Sequence, residues 1–250
     1  MSGVRVYKVG GPALEDPELI APLAAELRRG GDRALVVHGG GPIINRLLKA
    51  LAIETHFVEG RRATSREAMD VVEMVLSGLV NKALAAGLTR AGVPAIGLSA
   101  RDGGMIRARL APGLGHVGTP EHVDIAPLNA VWAGGYLPVV APVSLGPSGE
   151  AVNVNADEAA LGLARAVGAL TLIYLSDVDG VRIGDKAVAT LSASQTERAI
   201  ADGTISGGMA LKVRVALDAV RAGIPEVVIA GKARLLGAFP GTRVLADEVN

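Results

Sequence analysis

The chain has 250 residues, of which 50% are hydrophobic but only 2% aromatic, and its 25 basic and 25 acidic residues leave no net charge at pH 7. This balance gives no reason to expect a nucleic-acid partner or an acidic membrane surface. Without cysteine the chain has no disulfide, thiolate nucleophile or Cys-ligated zinc, which fits a reducing cytoplasm. We predict no protein-held metal, because the four histidines lack metal-binding spacing. We also predict no membrane span, because no uninterrupted apolar run approaches about 20 residues.

Short β-branched runs alternate with longer segments of helical spacing. The runs are mostly apolar throughout and predict strands buried on both faces, so the alternation predicts a mostly parallel sheet covered by helices on both sides. The predicted strands are residues 4–9, 34–38, 95–98, 137–141, 171–175 and 226–230. The predicted helices are residues 17–29, 42–51, 65–91, 156–167, 194–201 and 209–222.

The first predicted strand ends in a lysine, Lys8, which is followed closely by Gly10 and Gly11. Glycine lets a backbone N–H approach an anion closely because no Cβ stands in the way, and an ammonium beside such a loop suits phosphate oxygens. A second lysine, Lys212, lies four residues after Gly208. Two cationic sites of this kind predict phosphoryl transfer, where catalysis is mostly positioning and charge stabilisation. A single Lys-Gly pair would more simply be a surface turn.

Three consecutive glycines, Gly39, Gly40 and Gly41, join the second predicted strand to a helix that begins at Pro42. They expose successive N–H groups at a helix N-terminus, whose partial positive charge favours an anion. The loop also lies at the carboxyl end of its strand, where open α/β sheets bind ligands. We therefore predict an anion site here rather than a simple strand–helix turn.

Two arginines, Arg61 and Arg62, precede the longest predicted helix. A guanidinium matches a carboxylate with two parallel hydrogen bonds, so one of them could hold an acidic substrate. A solvated pair at a helix start explains the same two residues equally well. On this evidence alone both interpretations stay open.

Residues 105–123 break the alternation of strands and helices, and their Gly- and Pro-rich pattern predicts a hairpin-like excursion over the sheet edge. A literal G-x-G-x-x-G occurs there at Gly113, Gly115 and Gly118. We reject it as a dinucleotide fingerprint, because no buried strand precedes it and Pro120 falls where a helix should continue. No G-x-x-x-x-G-K-[ST] sequence occurs either, so any ATP would be held by another kind of loop.

The sequence Asn153-Val154-Asn155-Ala156-Asp157 precedes an apolar predicted helix. Asn155 is a good N-cap, but an N-cap does not explain Asn153, which the alternation turns to the same side. Asp157 enters the first helical turn. There its carboxylate could hold both Lys8 and Lys212 through charge-assisted hydrogen bonds.

Two weaker features follow in the last third of the chain. Residues 175–181 end a buried strand with polar and small residues, which could accept hydrogen bonds from a ribose or adenine or form only a turn. Ser194 and Glu197 have the spacing of a capping box at a helix start. A boundary between two lobes near residue 170 is compatible with the composition.

Taken in order, these motifs resemble the amino-acid kinase family, and within it most closely the kinases whose substrate is N-acetyl-L-glutamate. The resemblance runs over nearly the whole chain, and its specificity comes from the order and spacing of the motifs rather than from any one of them. The matching motifs are K-x-G-G at 8–11, H-G-G-G at 38–41, G-x-R-x-T at 60–64, G-x-x-N-K at 78–82, G-H-V-G at 115–118, N-V-N-A-D at 153–157, L-S-D-V at 175–178 and G-G-M-x-x-K at 207–212.

The resemblance implies an α/β fold, a three-layer αβα sandwich around an open, mainly parallel sheet of about eight strands. Residues 1–170 would form an N-terminal lobe that binds the acyl amino acid and makes the dimer contact, through the helical stretch 65–91. Residues 171–250 would form a C-terminal lobe that binds ATP. The reaction would join the γ-phosphate of ATP to the γ-carboxylate of N-acetyl-L-glutamate, which is the second step of arginine biosynthesis.

The resemblance also implies a role for each matched residue. Lys8 and Lys212 would stabilise charge on the transferring phosphoryl group, and Asp157 would orient both lysines. The residues implied to hold N-acetylglutamate are Gly40, Gly41, Arg62 and Asn153, with Arg62 on the α-carboxylate. The residues implied to contact ATP are Gly10, Gly11, Asp177, Val178, Asp179, Gly180, Val181, Arg182, Thr204, Ile205 and Ser206. Mg²⁺ would be bound mainly through the phosphates and water, and no general base is required because the substrate carboxylate is already ionised at neutral pH.

One feature departs from the longer family members, whose arginine-inhibited hexamers carry an extra helix ahead of the first strand. Here only residues 1–3 precede that strand. We therefore expect a homodimer that arginine does not inhibit.

Three alternatives stay open at this stage. A kinase of lysine biosynthesis that acts on α-aminoadipate or glutamate attached to a carrier protein shares the fold and the lysines. The acceptor substrates of the two kinases can differ by as little as one methylene, and a pocket distinguishes one methylene by only about 1–3 kcal/mol. The segments around Arg62 and Asn153 nevertheless favour the free acetylated substrate. A non-catalytic amino-acid- or nucleotide-sensing module would lack Lys8, Lys212 or Asp157, and all three are present. Arg62 and Asn153 also weaken the case for a uridylate or carbamate kinase.

Overall fold

The computed structural model describes residues 3–29, 33–184 and 186–247. The strands are β1 Val4–Val9, β2 Arg33–His38, β3 Phe57–Val58, β4 Arg61–Arg62, β5 Ala95–Ser99, β6 Ile106–Leu110, β7 Val117–Val123, β8 Leu137–Ala141, β9 Val143–Leu145, β10 Ala151–Val154, β11 Ala169–Leu175, β12 Arg182–Ile183, β13 Lys186–Ala187, β14 Thr190–Ser192, β15 Glu226–Ala230 and β16 Thr242–Leu245. The α-helices are α1 Ile20–Arg29, α2 Gly41–Ala50, α3 Arg66–Glu73, α4 Asn81–Arg90, α5 Ala126–Ala133, α6 Ala156–Ala166, α7 Ala193–Ala201, α8 Gly207–Arg221 and α9 Lys232–Leu235.

Eight strands form one sheet in the order β14-β16-β15-β11-β1-β2-β8-β5, and only the β15/β16 pair is antiparallel. Successive residues of the central strands pack on opposite faces. Val6 and Leu35 belong to one core layer with Leu163 of α6, whereas Tyr7 belongs to the other layer with Leu23 of α1. This arrangement confirms the predicted αβα sandwich, and the two-sided burial explains why the strands are apolar throughout.

The excursion at residues 105–123 is confirmed as an antiparallel hairpin of β6 and β7. It closes with β9 and β10 into a small four-stranded barrel, which the sequence did not predict. Gly118 lies within β7 rather than at a helix start, so the glycine pattern there is part of a hairpin and not of a dinucleotide site. The barrel leads into α6 through Asn155, and this connection places the start of α6 beside the main sheet.

The predicted helix 65–91 is confirmed as one continuous helix, Arg66–Arg90, in which a π-helical segment, Met74–Val80, joins α3 to α4. Ser65 caps its start by accepting a hydrogen bond from the Ala68 N–H at 3.1 Å. By length and composition alone this helix is apolar enough to cross a membrane, which the sequence prediction did not anticipate. However, 56% of its most apolar window is buried inside the fold, so it is a core helix.

The predicted capping box at Ser194 and Glu197 is wrong. The box uses Ser192 and Gln195 instead, with the Ser192 hydroxyl 3.2 Å from the Gln195 N–H and the Gln195 side chain 2.9 Å from the Ser192 N–H. The sequence contains the motif twice, two residues apart, and β14 ends at Ser192, which gives that serine the extended backbone that an N-cap needs. Glu197 pairs with Arg221 of α8.

The prediction of a homodimer that arginine does not inhibit rested on the short segment ahead of β1. Met1 and Ser2 of that segment lie outside the described residues.

Candidate active site

The carboxyl ends of β1, β2 and β11 meet at one edge of the sheet, and the glycine loops lie there. Lys8 in β1 is in register with Val37 of β2 and Tyr174 of β11. A cavity of about 230 Å³ opens beside Lys8 and extends towards the barrel. The predicted residues that line it are Lys8, Gly11, Gly40, Gly41, Arg62, Asn153 and Asp157. A smaller cavity of about 60 Å³ shares Lys8 and Asp157 with the first and adds Tyr174 and Lys212.

The Lys8 Nζ atom lies 2.8 Å from Oδ1 of Asp157. Asp157 is the second residue of α6, and its N–H donates to the Asn155 side chain at 2.8 Å, which caps the helix. A carboxylate in the first turn is stabilised by the helix dipole. The Asn155 side chain also donates to the Gly60 carbonyl at 3.3 Å. The predicted N-cap at Asn155 is therefore confirmed, and it fixes the carboxylate that holds Lys8.

Lys212 is held by a different carboxylate from the one that the sequence suggested. Its Nζ atom lies 2.7 Å from Oδ1 of Asp177, in the loop after β11, while Asp157 pairs with Lys8. The hydrogen bond from Lys212 lowers the pKa of Asp177 below its ordinary value. Asp157 thus does not orient both lysines in this conformation, although both line the smaller cavity with it.

The glycine loops pack against each other so closely that side chains would collide. A Cβ on Gly11 would lie 2.7 Å from Cδ of Pro42 and 3.0 Å from the Gly41 nitrogen. No described hydrogen bond uses the N–H of Gly11, Gly40 or Gly41, so these donors remain available where α2 begins. Gly10 differs from the expectation, because its N–H donates to the Leu175 carbonyl at 2.8 Å and fastens the loop to β11.

Arg62 is only 6% exposed and lies in the β3–β4 hairpin over the larger cavity. One of its nitrogens, Nη2, donates to Oδ1 of Asn45, and the guanidinium lies 4.6 Å from the centre of the Phe57 ring. Its other terminal nitrogen, Nη1, is buried with no protein partner. Burial also lowers the pKa of Arg62. A buried guanidinium with an unused donor can bind an anion, and its burial shows that the solvated-pair interpretation is wrong for Arg62.

Asn153 lies in β10 and also lines the larger cavity. Its Nδ2 atom donates to the Thr64 hydroxyl at 3.1 Å, and that hydroxyl donates to the Arg62 carbonyl at 2.6 Å. The hydrogen bonds therefore join the wall of the cavity to the hairpin. Arg61 makes a second link, with Nε 2.8 Å from Oε1 of Glu158 in α6.

Of the residues predicted to contact ATP, Gly11 alone lines one of these two cavities. Residues 177–182 and 204–206, called the rim below, line neither. Several of these residues already make hydrogen bonds within the protein. The Asp179 carboxylate accepts from the Ala233 N–H at 2.9 Å, the Val181 N–H donates to Thr242 at 2.8 Å and the Ile205 N–H donates to Ala199 at 2.7 Å. Val178 and Gly180 lie in the same loop as Asp179, and Arg182 begins β12. Thr204 and Ser206 are exposed just before α8.

The sequence analysis assigned no role to the side chains of two residues near the glycine loop, His38 and Asn81. His38 is fully buried, with Nδ1 2.9 Å from the Gly39 carbonyl and Nε2 3.0 Å from the Asn81 amide nitrogen. Asn81 also donates to the Val139 carbonyl at 2.9 Å. Burial lowers the pKa of His38 to about 4, so the imidazole is neutral at neutral pH, and the hydrogen bonds assign its proton to Nδ1. The G-x-x-N-K motif that contains Asn81 was the signal for this link.

Comparison with known proteins gives consistent results. The model of the Amino acid kinase family matches residues 3–231. An acetylglutamate kinase from Rubrobacter xylanophilus is 46% identical over 247 residues, covering 96% of this chain and 94% of that protein. One from Granulibacter bethesdensis is 43% identical over 242 residues, covering 90% of this chain and 81% of that protein. The crystal structure of smu.665 from Streptococcus mutans UA159 has a TM-score of 0.85 at 26% identity and covers 99% of this chain and 100% of that one. The family match contains every residue of both cavities.

Proposed function

Because this chain belongs to the amino acid kinase family, and within it to the acetylglutamate kinases, we propose that it phosphorylates the γ-carboxylate of N-acetyl-L-glutamate with ATP. The product is N-acetyl-L-glutamyl 5-phosphate, and the reaction is the second step of arginine biosynthesis. The observation that carries this proposal is the convergence of Lys8 and Lys212 on one small cavity, which adjoins the cavity of the buried Arg62.

Lys8 and Lys212 stabilise the charge of the transferring group. In the transfer, an oxygen of the substrate carboxylate bonds to the γ-phosphorus as the bond from phosphorus to the β,γ-bridging oxygen breaks, and no proton moves. Negative charge then lies on the equatorial oxygens of the transferring phosphoryl group. Two ammonium groups that line one cavity can stabilise this charge in the transition state. Asp157 holds Lys8 in place and Asp177 holds Lys212.

The acceptor substrate binds in the larger cavity. The unused Nη1 donor of Arg62 supports a contact with the α-carboxylate, and the free N–H groups of Gly40 and Gly41 support contacts with acceptor or phosphoryl oxygens. Asn153 completes the wall. A ligand without a carboxylate would leave Arg62 buried and uncompensated, so the cavity favours a substrate that carries one.

ATP supplies the phosphoryl group from the side of Asp177 and Lys212, where residues 177–182 and 204–206 form the rim. The unused N–H of Gly11, which lines the larger cavity together with Lys8, can donate to the transferring phosphoryl group where it meets the acceptor. Gly10 supports the loop rather than donating to the nucleotide. Among the described residues no cluster of three or more side chains could hold a metal, so Mg²⁺ is carried by the phosphates and water.

The two substrates divide the chain into proposed lobes, residues 1–170 for the acceptor and residues 171–250 for ATP. Arg62 and Asn153 fall in the first, and Asp177 and Lys212 in the second. A homodimer through the helix Arg66–Arg90 is supported by the exposed apolar side chains of Met74 and Leu79; Leu47 of α2 and Leu51, which follows α2, are exposed as well. A cytoplasmic location is supported by the absence of cysteine.

A coupled assay of ADP release tests the proposed function, with N-acetyl-L-glutamate, glutamate, aspartate and carbamate offered separately. We expect turnover with N-acetyl-L-glutamate alone. Turnover with carbamate but not with N-acetyl-L-glutamate would contradict the proposal. The carrier-linked kinase is tested in the same assay, because it requires its carrier protein and would give no turnover with the free acetylated substrate.

A further inference from the structure

Tyr174 has a buried hydroxyl that no protein atom satisfies. The residue is 6% exposed, and its Oη atom has no hydrogen-bond partner in the described structure. It is in register with Lys8 on the neighbouring parallel strand, so both side chains project from the same face of the sheet. It lines the cavity of about 60 Å³ together with Lys8, Asp157 and Lys212. Tyr174 therefore belongs to the wall of the cavity that both lysines also line, and its buried hydroxyl is without a described partner beside that cavity.

An unpaired buried hydroxyl destabilises a fold, and phenylalanine would occupy the same space without that penalty. Tyr7 provides the contrast within the same sheet. Its hydroxyl lies on the opposite face and has two partners, Arg5 at 2.9 Å and Glu26 at 3.3 Å. The hydroxyl of Tyr174 is consequently a group whose partner must come from outside the chain.

The surroundings decide what kind of partner this is. Burial, with the carboxylates of Asp157 and Asp218, raises the pKa of Tyr174 well above its ordinary value, so the phenol keeps its proton and acts as a donor. Lys8 and Lys212 have no acceptor to offer, and they favour negative charge in the space between them. A donor beside two cations suits an anionic oxygen.

We propose that the Tyr174 hydroxyl donates a hydrogen bond to an oxygen of the γ-phosphoryl group, as a third contact beside Lys8 and Lys212. This inference rests on the proposed function, because it takes the small cavity to be the place of phosphoryl transfer. The contact adds a directed hydrogen bond without adding charge. It also distinguishes ATP from ADP, because ADP lacks the group that the hydroxyl contacts.

The three tyrosines of the chain supply the variant and its controls. Tyr174→Phe removes the unpaired hydroxyl, Tyr7→Phe removes a paired one, and Tyr136→Phe removes an exposed one. The dissociation constants of AMP-PNP and of ADP, both with Mg²⁺, are measured by calorimetry, and the unfolding temperature is measured without nucleotide.

Tyr174→Phe should weaken AMP-PNP binding by about tenfold or more and change ADP binding by less than about twofold. Without nucleotide it should raise the unfolding temperature by about 2–4 °C, because the unpaired hydroxyl is gone. Tyr7→Phe should lower the unfolding temperature and leave both affinities unchanged, and Tyr136→Phe should change none of these quantities.

Unchanged AMP-PNP binding in Tyr174→Phe would overturn the inference, and so would equal weakening of AMP-PNP and ADP, which would place the hydroxyl elsewhere or give it only a structural role. The wild-type acceptor assay separates this result from the proposed function. If wild-type protein discriminates the nucleotides through Tyr174 but does not phosphorylate N-acetyl-L-glutamate, the inference about Tyr174 holds and the proposed acceptor is wrong. If wild-type protein binds neither nucleotide, both fail.

Discussion

The two lysine–carboxylate pairs lie in parts of the site that are built differently. On the proposed acceptor side, the Lys8 and Asp157 side chains are 15% and 28% exposed, and the nearby Arg62 and glycine loop carry buried or unused donors. On the proposed nucleotide side, Lys212 and Asp177 are 35% and 56% exposed, and several polar groups of the rim are bonded within the fold. Enclosed, unsatisfied donors favour strict selection of a small acidic substrate, whereas an open rim can accept a large nucleotide that is partly exposed to water.

The strongest test of this comparison is whether both lysines serve one chemical step despite their different surroundings. Lys8→Ala and Lys212→Ala should each lower kcat by at least about 10²-fold, the scale for losing one transition-state donor. The KM values should change far less. Lys49→Ala, on the exposed face of α2, is the matched control and should leave kcat and the KM values unchanged. Near-wild-type turnover in either variant would remove that lysine from the mechanism and separate the two sides.

The enclosed side should also respond to pH through His38. Its pKa is lowered to about 4 in the folded protein, so below the ordinary histidine pKa of about 6.5 the unfolded chain binds a proton that the folded chain does not. Stability should therefore fall as pH decreases from about 6.5 to about 4, by up to about 3 kcal/mol. Urea unfolding of wild type, His38→Gln and the exposed control His122→Gln measures this. Retention of the full pH dependence in His38→Gln would assign it to other groups.

Arg62 tests whether the enclosed side selects the acceptor. Lysine cannot reproduce the guanidinium fork, so Arg62→Lys should raise the KM for N-acetyl-L-glutamate by about tenfold or more and leave the ATP KM little altered. Arg66→Lys is the control, because the Arg66 side chain is 73% exposed, pairs with Asp70 on the helix surface and does not line the cavity. If Arg62→Lys weakened ATP instead, the acceptor and nucleotide sides would be assigned the wrong way round.

The sequence was sufficient for six of the eight strands of the main sheet and for most of the predicted residues that line the larger cavity, but it did not predict the short strands β14 and β16 at one side of the sheet. Strands buried on both faces leave an apolar run that can be read directly, as in β8 and β15. The barrel strands β9 and β10 are three and four residues long and only partly apolar, so no comparable signal marks them. Glycine-rich loops after buried strands identify the site because few other constraints require several glycines together.

The remaining features depend on contacts between distant parts of the chain. Nothing local tells which of Asp157, Asp177 or Asp179 reaches Lys212, since this depends on the conformation of the loop after β11. The Gly10 N–H looked available because its acceptor, Leu175, is 165 residues away in the sequence. From the sequence Tyr174 is one more core residue of an apolar strand, and only the fold brings it into the wall of a cavity that Lys8 and Lys212 also line.

The smallest expected effect is that of Asp177→Asn, and it measures how open the nucleotide side is. The Lys212–Asp177 pair is largely solvated, so its loss should lower the free energy of unfolding by less than about 1 kcal/mol, and high salt should reduce that difference further. Lys212 lowers the pKa of Asp177, so the pair contributes above the ordinary aspartate pKa and its contribution disappears as pH falls below it. The variant should lack that acid-dependent component.

Asp177→Asn should also lower kcat by less than about tenfold, because Lys212 remains beside the cavity and only its orientation is relaxed. Asp157→Asn is the matched comparison on the enclosed side, where Lys8 would lose a partner that is fixed at a capped helix start. The kcat of Asp157→Asn should therefore fall further than that of Asp177→Asn. Equal losses would mean that both carboxylates contact the same lysine during turnover, with Asp157 reaching Lys212 after the site closes, and the two sides would then act as a single charge cluster.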